Sequence, residues 1–287
     1  MNRVKTILVA VALAAAAQAA EIHPPQQVTA GTSITIPSSG SGDATFYLIG
    51  PDIASKKKVQ AGSDISVDAD SLQRAGRYVA ALCASDGCAS SNFFVVPAAA
   101  NKVSLLVHPS RVPVGSANAI STVAFVFDNF HNFVIKREQV KFSILPKDAK
   151  EVSADRASDN GVAWVRISSA KKEGPVRIAA AIGNANEVRV VQQVAAEACN
   201  LRIKASRVKN AFLIETDPVR DCSGNAIPDG TVVSFTKADS AGKTTVDVPI
   251  KRGVAKVEMP VDGWARITVA SGVATGNELD VAGGQAQ

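Results

Sequence analysis

Phe127-Asp128-Asn129-Phe130-His131-Asn132-Phe133-Val134 and Arg220-Asp221-Cys222-Ser223-Gly224-Asn225-Ala226-Ile227 are two copies of one pattern. Aspartate and asparagine stand four apart in each, an aliphatic residue follows two later, and three variable residues lie between them. The register continues without a gap. Val140 and Phe142 follow the first copy, and Val233 and Phe235 follow the second. Asp and Asn tolerate unusual dihedrals and bond their own backbone, so the pair reads as a tight turn between strands. Val140 with Phe142, and Val233 with Phe235, are two apart and therefore share one face of a strand. Further on, Asn160-Gly161-Val162-Ala163-Trp164-Val165 matches Arg252-Gly253-Val254-Ala255-Lys256-Val257. Gly174-Pro175-Val176-Arg177-Ile178 then matches Gly263-Trp264-Ala265-Arg266-Ile267. Apolar and turn residues coincide, so the repeat describes packing rather than chemistry.

The remaining sequence agrees with an all-β reading. Thr45-Phe46-Tyr47-Leu48-Ile49 and Val103-Ser104-Leu105-Leu106-Val107 are short β-rich runs bounded by Gly, Pro, Asn, Asp or Ser. Short strands at this spacing indicate β-sandwiches. Helical periodicity is nearly absent, and Asp68–Arg74 allows one or two turns. Pro97-Ala98-Ala99-Ala100-Asn101 and Ala195-Ala196-Glu197-Ala198 are small-residue junctions between strand-rich segments. They divide the chain into 21–97, 101–196 and 197–283, a plan that suits sandwiches of about 100 residues each.

The turn, the Val-x-Phe strand, Gly-Val-Ala and the closing Gly-x-x-x-Ile strand resemble the bacterial immunoglobulin-like (Ig-like) repeats of the invasin and intimin type. The resemblance covers about 102–195 and 199–281. It implies tandem immunoglobulin-like β-sandwich domains. His131 stands where the family turn carries glycine, which the second copy keeps as Gly224. The first segment diverges. Its Gly76-Arg77-Tyr78 resembles an immunoglobulin corner in which the tyrosine hydroxyl bonds back to the backbone. Ala80 occupies the usual position of the second inter-sheet cysteine.

The N-terminus implies export. Arg3 and Lys5 precede the apolar run Ile7–Ala17, and Ala17-Gln18-Ala19 offers a signal-peptidase site. Residues 1–19 are thus expected to be a cleaved signal peptide, too short in its apolar run to be an anchor. The destination is the periplasm or the exterior. No later run is apolar enough for stable membrane insertion. The formal charge of +5 falls to about +3 once Arg3 and Lys5 leave. Lys56-Lys57-Lys58 and Lys171-Lys172 read as solvated turns, and no basic stripe with stacking aromatics marks a nucleic-acid surface.

The chain has three histidines, His23, His108 and His131, and they do not pair at ligand spacing. The motifs Gly-x-Ser-x-Gly and His-Glu-x-x-His and the phosphate-binding glycine loop do not occur. The chain therefore reads as non-catalytic, with no cofactor and no metal. Asp221 and Asp229 lack the spacing of a calcium loop. Trp164 and Trp264 lie in strand patterns and are expected in cores. The aromatic turn is the exception to a polar loop: Phe130, Phe133 and His131 form a candidate binding tip, with packing against a neighbouring domain as the alternative. Loops between sandwich strands commonly carry recognition. The expected partner is another protein at the cell envelope or outside the cell, and a glycan bound by exposed aromatics is the second ligand class.

Four cysteines in an oxidising compartment favour disulfides. Cys83 and Cys88 flank the turn sequence Ala-Ser-Asp-Gly, which leaves Cys199 for Cys222. Peptide mapping of the unreduced protein should return these two pairs, and four free thiols or a crossed pairing would break the domain plan. Reduction of Cys199–Cys222 should cost roughly 3 kcal/mol, the larger effect because it closes the longer loop.

Overall fold

The structure, a computed structural model, describes residues 20–85, 87–146 and 150–283. The expected signal peptide lies outside the described residues. The chain forms two compact units. One runs to Lys102 and also takes in Phe127–Ile135; the other holds Val103–Val126 and the chain from Lys136 onward. Among the described residues, the elements are strands apart from a single 3-10 turn, Ala69–Leu72.

In the first unit, five strands form one sheet in the order Gln27–Thr29, Gly87–Val96, Gly76–Ala84, Asp43–Ile49, Ala54–Gln60. Ile34–Ile36 and Ile65–Val67 pair as a second, two-stranded sheet. Alternation decides which side chains face inward. Ala44, Phe46 and Leu48 are buried along one strand, and Tyr78, Ala80 and Leu82 along its neighbour. They close on Ile36, Ile65, Leu72 and Phe93 as one core.

The expected tyrosine corner is present. Tyr78 is fully buried and its hydroxyl donates to the Arg74 carbonyl at 3.0 Å. Its ring stacks on Phe93, with centroids 5.4 Å apart. Gly50 makes room for it, since a Cβ there would stand 2.2 Å from the tyrosine ring. Gly76–Ala84 and Gly87–Val96 form a hairpin that sets Cys83 opposite Cys88, and the two are disulfide-bonded.

Lys56, Lys57 and Lys58 are not in a turn. They lie within the strand Ala54–Gln60, which pairs only with Asp43–Ile49 and forms the sheet edge. A lysine-rich edge discourages pairing with other chains. This strand carries almost no buried side chain, so the alternation that marks other strands is missing here.

The second unit contains two pairs of facing sheets. Val162–Ile167, Ile120–Phe127 and Lys102–His108 form a three-stranded sheet. Facing it are five strands ordered Val152–Ala157, Gln139–Pro146, Gly174–Ile182, Ala185–Val194, Arg111–Pro113. Val112, Ile120, Ile144, Val176, Ile178 and Val191 fill the space between. The later pair repeats the plan. Ile203–Val208, Ala211–Thr216 and Lys256–Pro260 form one sheet, and the other centres on Val232–Asp239 and Trp264–Ser271. Ile214, Val233, Phe235, Ala265 and Ile267 form its core. Val140, Phe142, Val233 and Phe235 are all fully buried, as their spacing requires. These are tandem Ig-like β-sandwiches.

The tryptophans overturn the sequence expectation. Trp164 is 62% exposed and Trp264 55%. In each strand the other phase of the alternation is buried: Ala163 and Val165 in one, Ala265 and Ile267 in the other. Trp264 lies under the Arg266 guanidinium at 5.5 Å, a cation–π contact on the outer face.

Burial, and then the Asp52 carboxylate, push the Tyr78 phenol above its ordinary range, against the opposing effect of Arg74. A raised phenol contributes stability that is complete below the unfolded value near pH 10 and is lost as pH rises above it. Tyr78→Phe is expected to cost about 1–2 kcal/mol at neutral pH, through loss of the bond to Arg74. It should also flatten the alkaline fall in melting temperature, and parallel melts at neutral and high pH measure both effects.

Candidate functional site

The turn expected at Asp128 and Asn132 is present, and beyond bonding their own backbone the two side chains bond each other. One Asp128 carboxylate oxygen accepts the backbone N–H groups of Phe130 and Asn132, each at 2.9 Å. The other accepts Asn132 Nδ2 at 2.8 Å. The same atom then accepts the Ala98 N–H at 2.9 Å, which fixes the strand exit after Val96.

Asn132 also reaches residues far away in sequence. Its Nδ2 donates to the Gln73 carbonyl at 2.8 Å, and its Oδ1 accepts the Ala75 N–H at 2.9 Å. A carboxamide has one acceptor and two donors. Asn132 thus spends them as a peptide group in a β-ladder would, bonded on both sides to one strand entry. Asp128 and Asn132 are buried, at 0% and 7% exposure.

The second unit repeats this network. Asp221 accepts from the N–H groups of Ser223 and Asn225 and from Asn225 Nδ2. It also accepts the Ala196 N–H at 3.0 Å. Asn225 Nδ2 donates to the Lys171 carbonyl at 2.8 Å, and Asn225 Oδ1 accepts the Glu173 N–H at 3.0 Å. Lys171 thus contributes its backbone. Cys222, next to Asp221, is bonded to Cys199, so this turn is also covalently held. The clasp between turn and distant strand entry was missed in the sequence. Its one visible signal was an Asp–Asn pair kept in register around three unrelated residues.

The residue at the third turn position faces a glycine in both copies. Phe130 lies over Gly31, where a Cβ would sit 2.2 Å from the ring, and Gly31 has φ +73. In the second unit Ser223 lies beside Gly115, which has φ +70. Phe130 is half-buried against the core of Tyr78 and Phe93. His131 has φ +64, the left-handed position that Gly224 fills with φ +87. Lys102 Nζ donates to the Asn129 carbonyl at 3.1 Å and lies 3.3 Å from His131 Nε2. Phe133 is 46% exposed, its ring 4.6 Å from that of Phe127. The structure therefore puts the three residues on one turn but in different surroundings. Phe130 faces inward, His131 sits on the lysine side, and Phe133 faces solvent beside Phe127.

Asp229, considered above for calcium, accepts the N–H groups of Arg252 and Gly253 and shapes that turn. Among the described residues no group of three or more His, Cys, Asp or Glu converges on a metal-sized space. No helix of the described chain is long and apolar enough to cross a membrane.

Repeated sandwiches with a buried Asp–Asn turn in each copy define the class as tandem Ig-like modules. The chain is similar in structure to FdeC, an adhesin of Escherichia coli. The TM-score is 0.58 at 15% identity, over 96% of this chain and 99% of that one. It is similar also to invasin, a bacterial integrin-binding protein, with a TM-score of 0.50 at 12% identity. That match covers 92% of this chain and 59% of invasin. At such identities the likeness concerns the fold. No family model and no curated protein matches the sequence.

Burial raises the affinity of Asp221 for a proton, but the bonds from Asn225, Ala196 and Ser223 outweigh it and hold the carboxyl below its ordinary range. Its contribution is present above about pH 4 and is lost as pH falls through the lowered folded value. Asn225→Ala is expected to cost about 2–4 kcal/mol, because it leaves Lys171 O and Glu173 N without their partner. The variant should also lose part of the acid dependence of unfolding. Hydrogen exchange should show the Glu173 amide deprotected in Asn225→Ala, and the Ala75 amide in Asn132→Ala.

Proposed function

We propose that the chain is an exported, non-catalytic structural and interaction protein. It is built of Ig-like modules 21–97, 101–196 and 197–283, and it presents surface to another protein at the cell envelope or outside the cell. The observation that carries this reading is the clasp. The Asp–Asn side-chain network found in both copies is buried, internally satisfied and spent on fixing backbone. The chemistry that the two copies share is thus mechanical in purpose. Two disulfides fit an oxidising compartment, as export requires. The fold shared with FdeC and invasin is one on which proteins that contact other cells are built.

In this reading the aromatic turn divides its labour. Phe130 and His131 seat the turn, and the ring of Phe133, 46% exposed, is the one a partner protein would touch. Exposed aromatics are enriched where proteins meet. Phe130→Ala should cost about 2 kcal/mol, roughly half the value for a fully buried ring. Phe133→Ala should cost less than Phe130→Ala, on the order of 1 kcal/mol, the scale of an aromatic pair such as it makes with Phe127. In a cross-linked pull-down from native envelope extract, Phe133→Ala should lose a protein that the wild type captures. Capture unchanged by Phe133→Ala would remove that ring from the contact. A wild type that captures nothing would overturn the interaction role.

A further inference from the structure

The outer face of the sheet Val162–Ile167, Ile120–Phe127, Lys102–His108 is apolar where its counterpart is charged. Trp164 stands directly opposite Val123 in the strand register. Phe125 is half-buried on the same face, and Leu106, on the far strand, is 57% exposed. In the later sandwich the matching positions are Lys256 and Glu215, also opposite each other and joined by an ion pair at 3.2 Å. The repeat therefore folds equally with a salt bridge at this place, and folding does not explain an exposed tryptophan. Contiguous exposed apolar surface of this kind marks contact sites.

Two further features define what would cover it. Among the described residues the strand Val162–Ile167 pairs with Ile120–Phe127 alone, so its outer edge is open beyond Val162, whose N–H and carbonyl are bonded to Asp159. That edge borders an open groove of about 610 Å³, shared with Val152–Ala157 and lined by Arg156, Asp159, Trp164 and Arg166. Two arginines against one aspartate leave the rim net positive, which favours negative charge in what binds there. A second copy would set these arginines against themselves. A saccharide would use the ring face but not the aliphatic breadth of Val123 and Leu106.

We propose that this groove binds an extended acidic segment of another protein. The segment adds to the free edge of Val162–Ile167, as in strand addition. Its apolar side chains lie on Trp164 and Val123, and its carboxylates meet Arg156 and Arg166. The site shares no residue with the Phe133 turn, and it adds a second contact to the interaction role argued above.

The test uses the full mature chain and two synthetic decapeptides, one alternating Val with Glu and one alternating Val with Lys. The chain has two tryptophans, so Trp264→Phe leaves Trp164 as the sole fluorescent reporter. The acidic peptide should give a saturable change in that signal, and the basic peptide should bind at least tenfold more weakly. Arg156→Glu with Arg166→Glu should reverse the preference. Trp164→Lys places here the residue that the sister copy carries, and calorimetry should show binding lost with the melt unchanged. Equal binding of both peptides, or of neither, overturns the proposal. So does a signal that follows protein concentration with a dimer in sedimentation, which assigns the face to a second copy. Saturation by chitotriose in place of the acidic peptide assigns it to a glycan and likewise overturns it. Failure of the peptides with the Phe133-dependent capture intact would sink this groove alone; loss of both would sink the interaction role itself.

Discussion

A buried carboxamide must find partners for its oxygen and both its hydrogens, or it costs more than it contributes. Asn132 and Asn225 meet this demand with the same three groups: a carboxylate four residues back, and one carbonyl and one N–H of a distant strand entry. The turn, the exit of the preceding strand and the entry of another strand are thereby positioned together. None of these backbone groups could bond so without the aspartate. It collects N–H groups from the turn and from Ala98 or Ala196, and it orients the asparagine. Removing either partner leaves buried backbone unpaired, which is why the pair recurs while its three intervening residues vary.

That variation lets one scaffold carry different contacts. The position that faces Gly31 as Phe130 is Ser223 beside Gly115. A ring over a glycine buries apolar area, whereas a serine leaves that work to the Cys199–Cys222 bond next to it. His131 and Gly224 share a left-handed backbone, and the histidine bears its strain with Lys102 beside it. Each turn is thus reinforced by a different means around one invariant network. The same logic separates Trp164 with Val123 from Lys256 with Glu215. The sheet needs a pair at that place, and either hydrophobic contact or charge serves it.

Much of the fold was legible because it is local. Strand runs, turn residues, the hairpin around Cys83 and Cys88 and the corner at Tyr78 each lie within about ten residues, where period and turn chemistry operate. Trp164 was misjudged because both phases of its strand hold apolar residues, whereas Trp264 shares its phase with Arg266 and Thr268, which already marked the outer face. Val162 and Trp164 compete with Ala163 and Val165, and size favours the wrong set. Lys56-Lys57-Lys58 hid a strand because this particular edge strand buries almost no side chain and so shows no alternation. The clasp was illegible for another reason. Asn132 bonds residues more than fifty positions away, and the groups it meets are backbone, which leaves no mark in side-chain identity. Only the strict spacing of the repeat hinted that the turn answered to something beyond itself.

The bond from Cys199 to Cys222 has a consequence under tension. Between its cysteines lie the first strands of the last sandwich and the approach to the Asp221 turn. If the chain were pulled from its ends, force would enter at Ala196, beside the clasp, and cross the disulfide directly. The 23-residue separation would hold roughly 80 Å of extended chain, and none of it could be released while the bond is intact. The sandwich would then lengthen only from its later strands. Reduction would convert that stiff entry into slack, so the redox state of one covalent bond sets how far this module stretches before it fails.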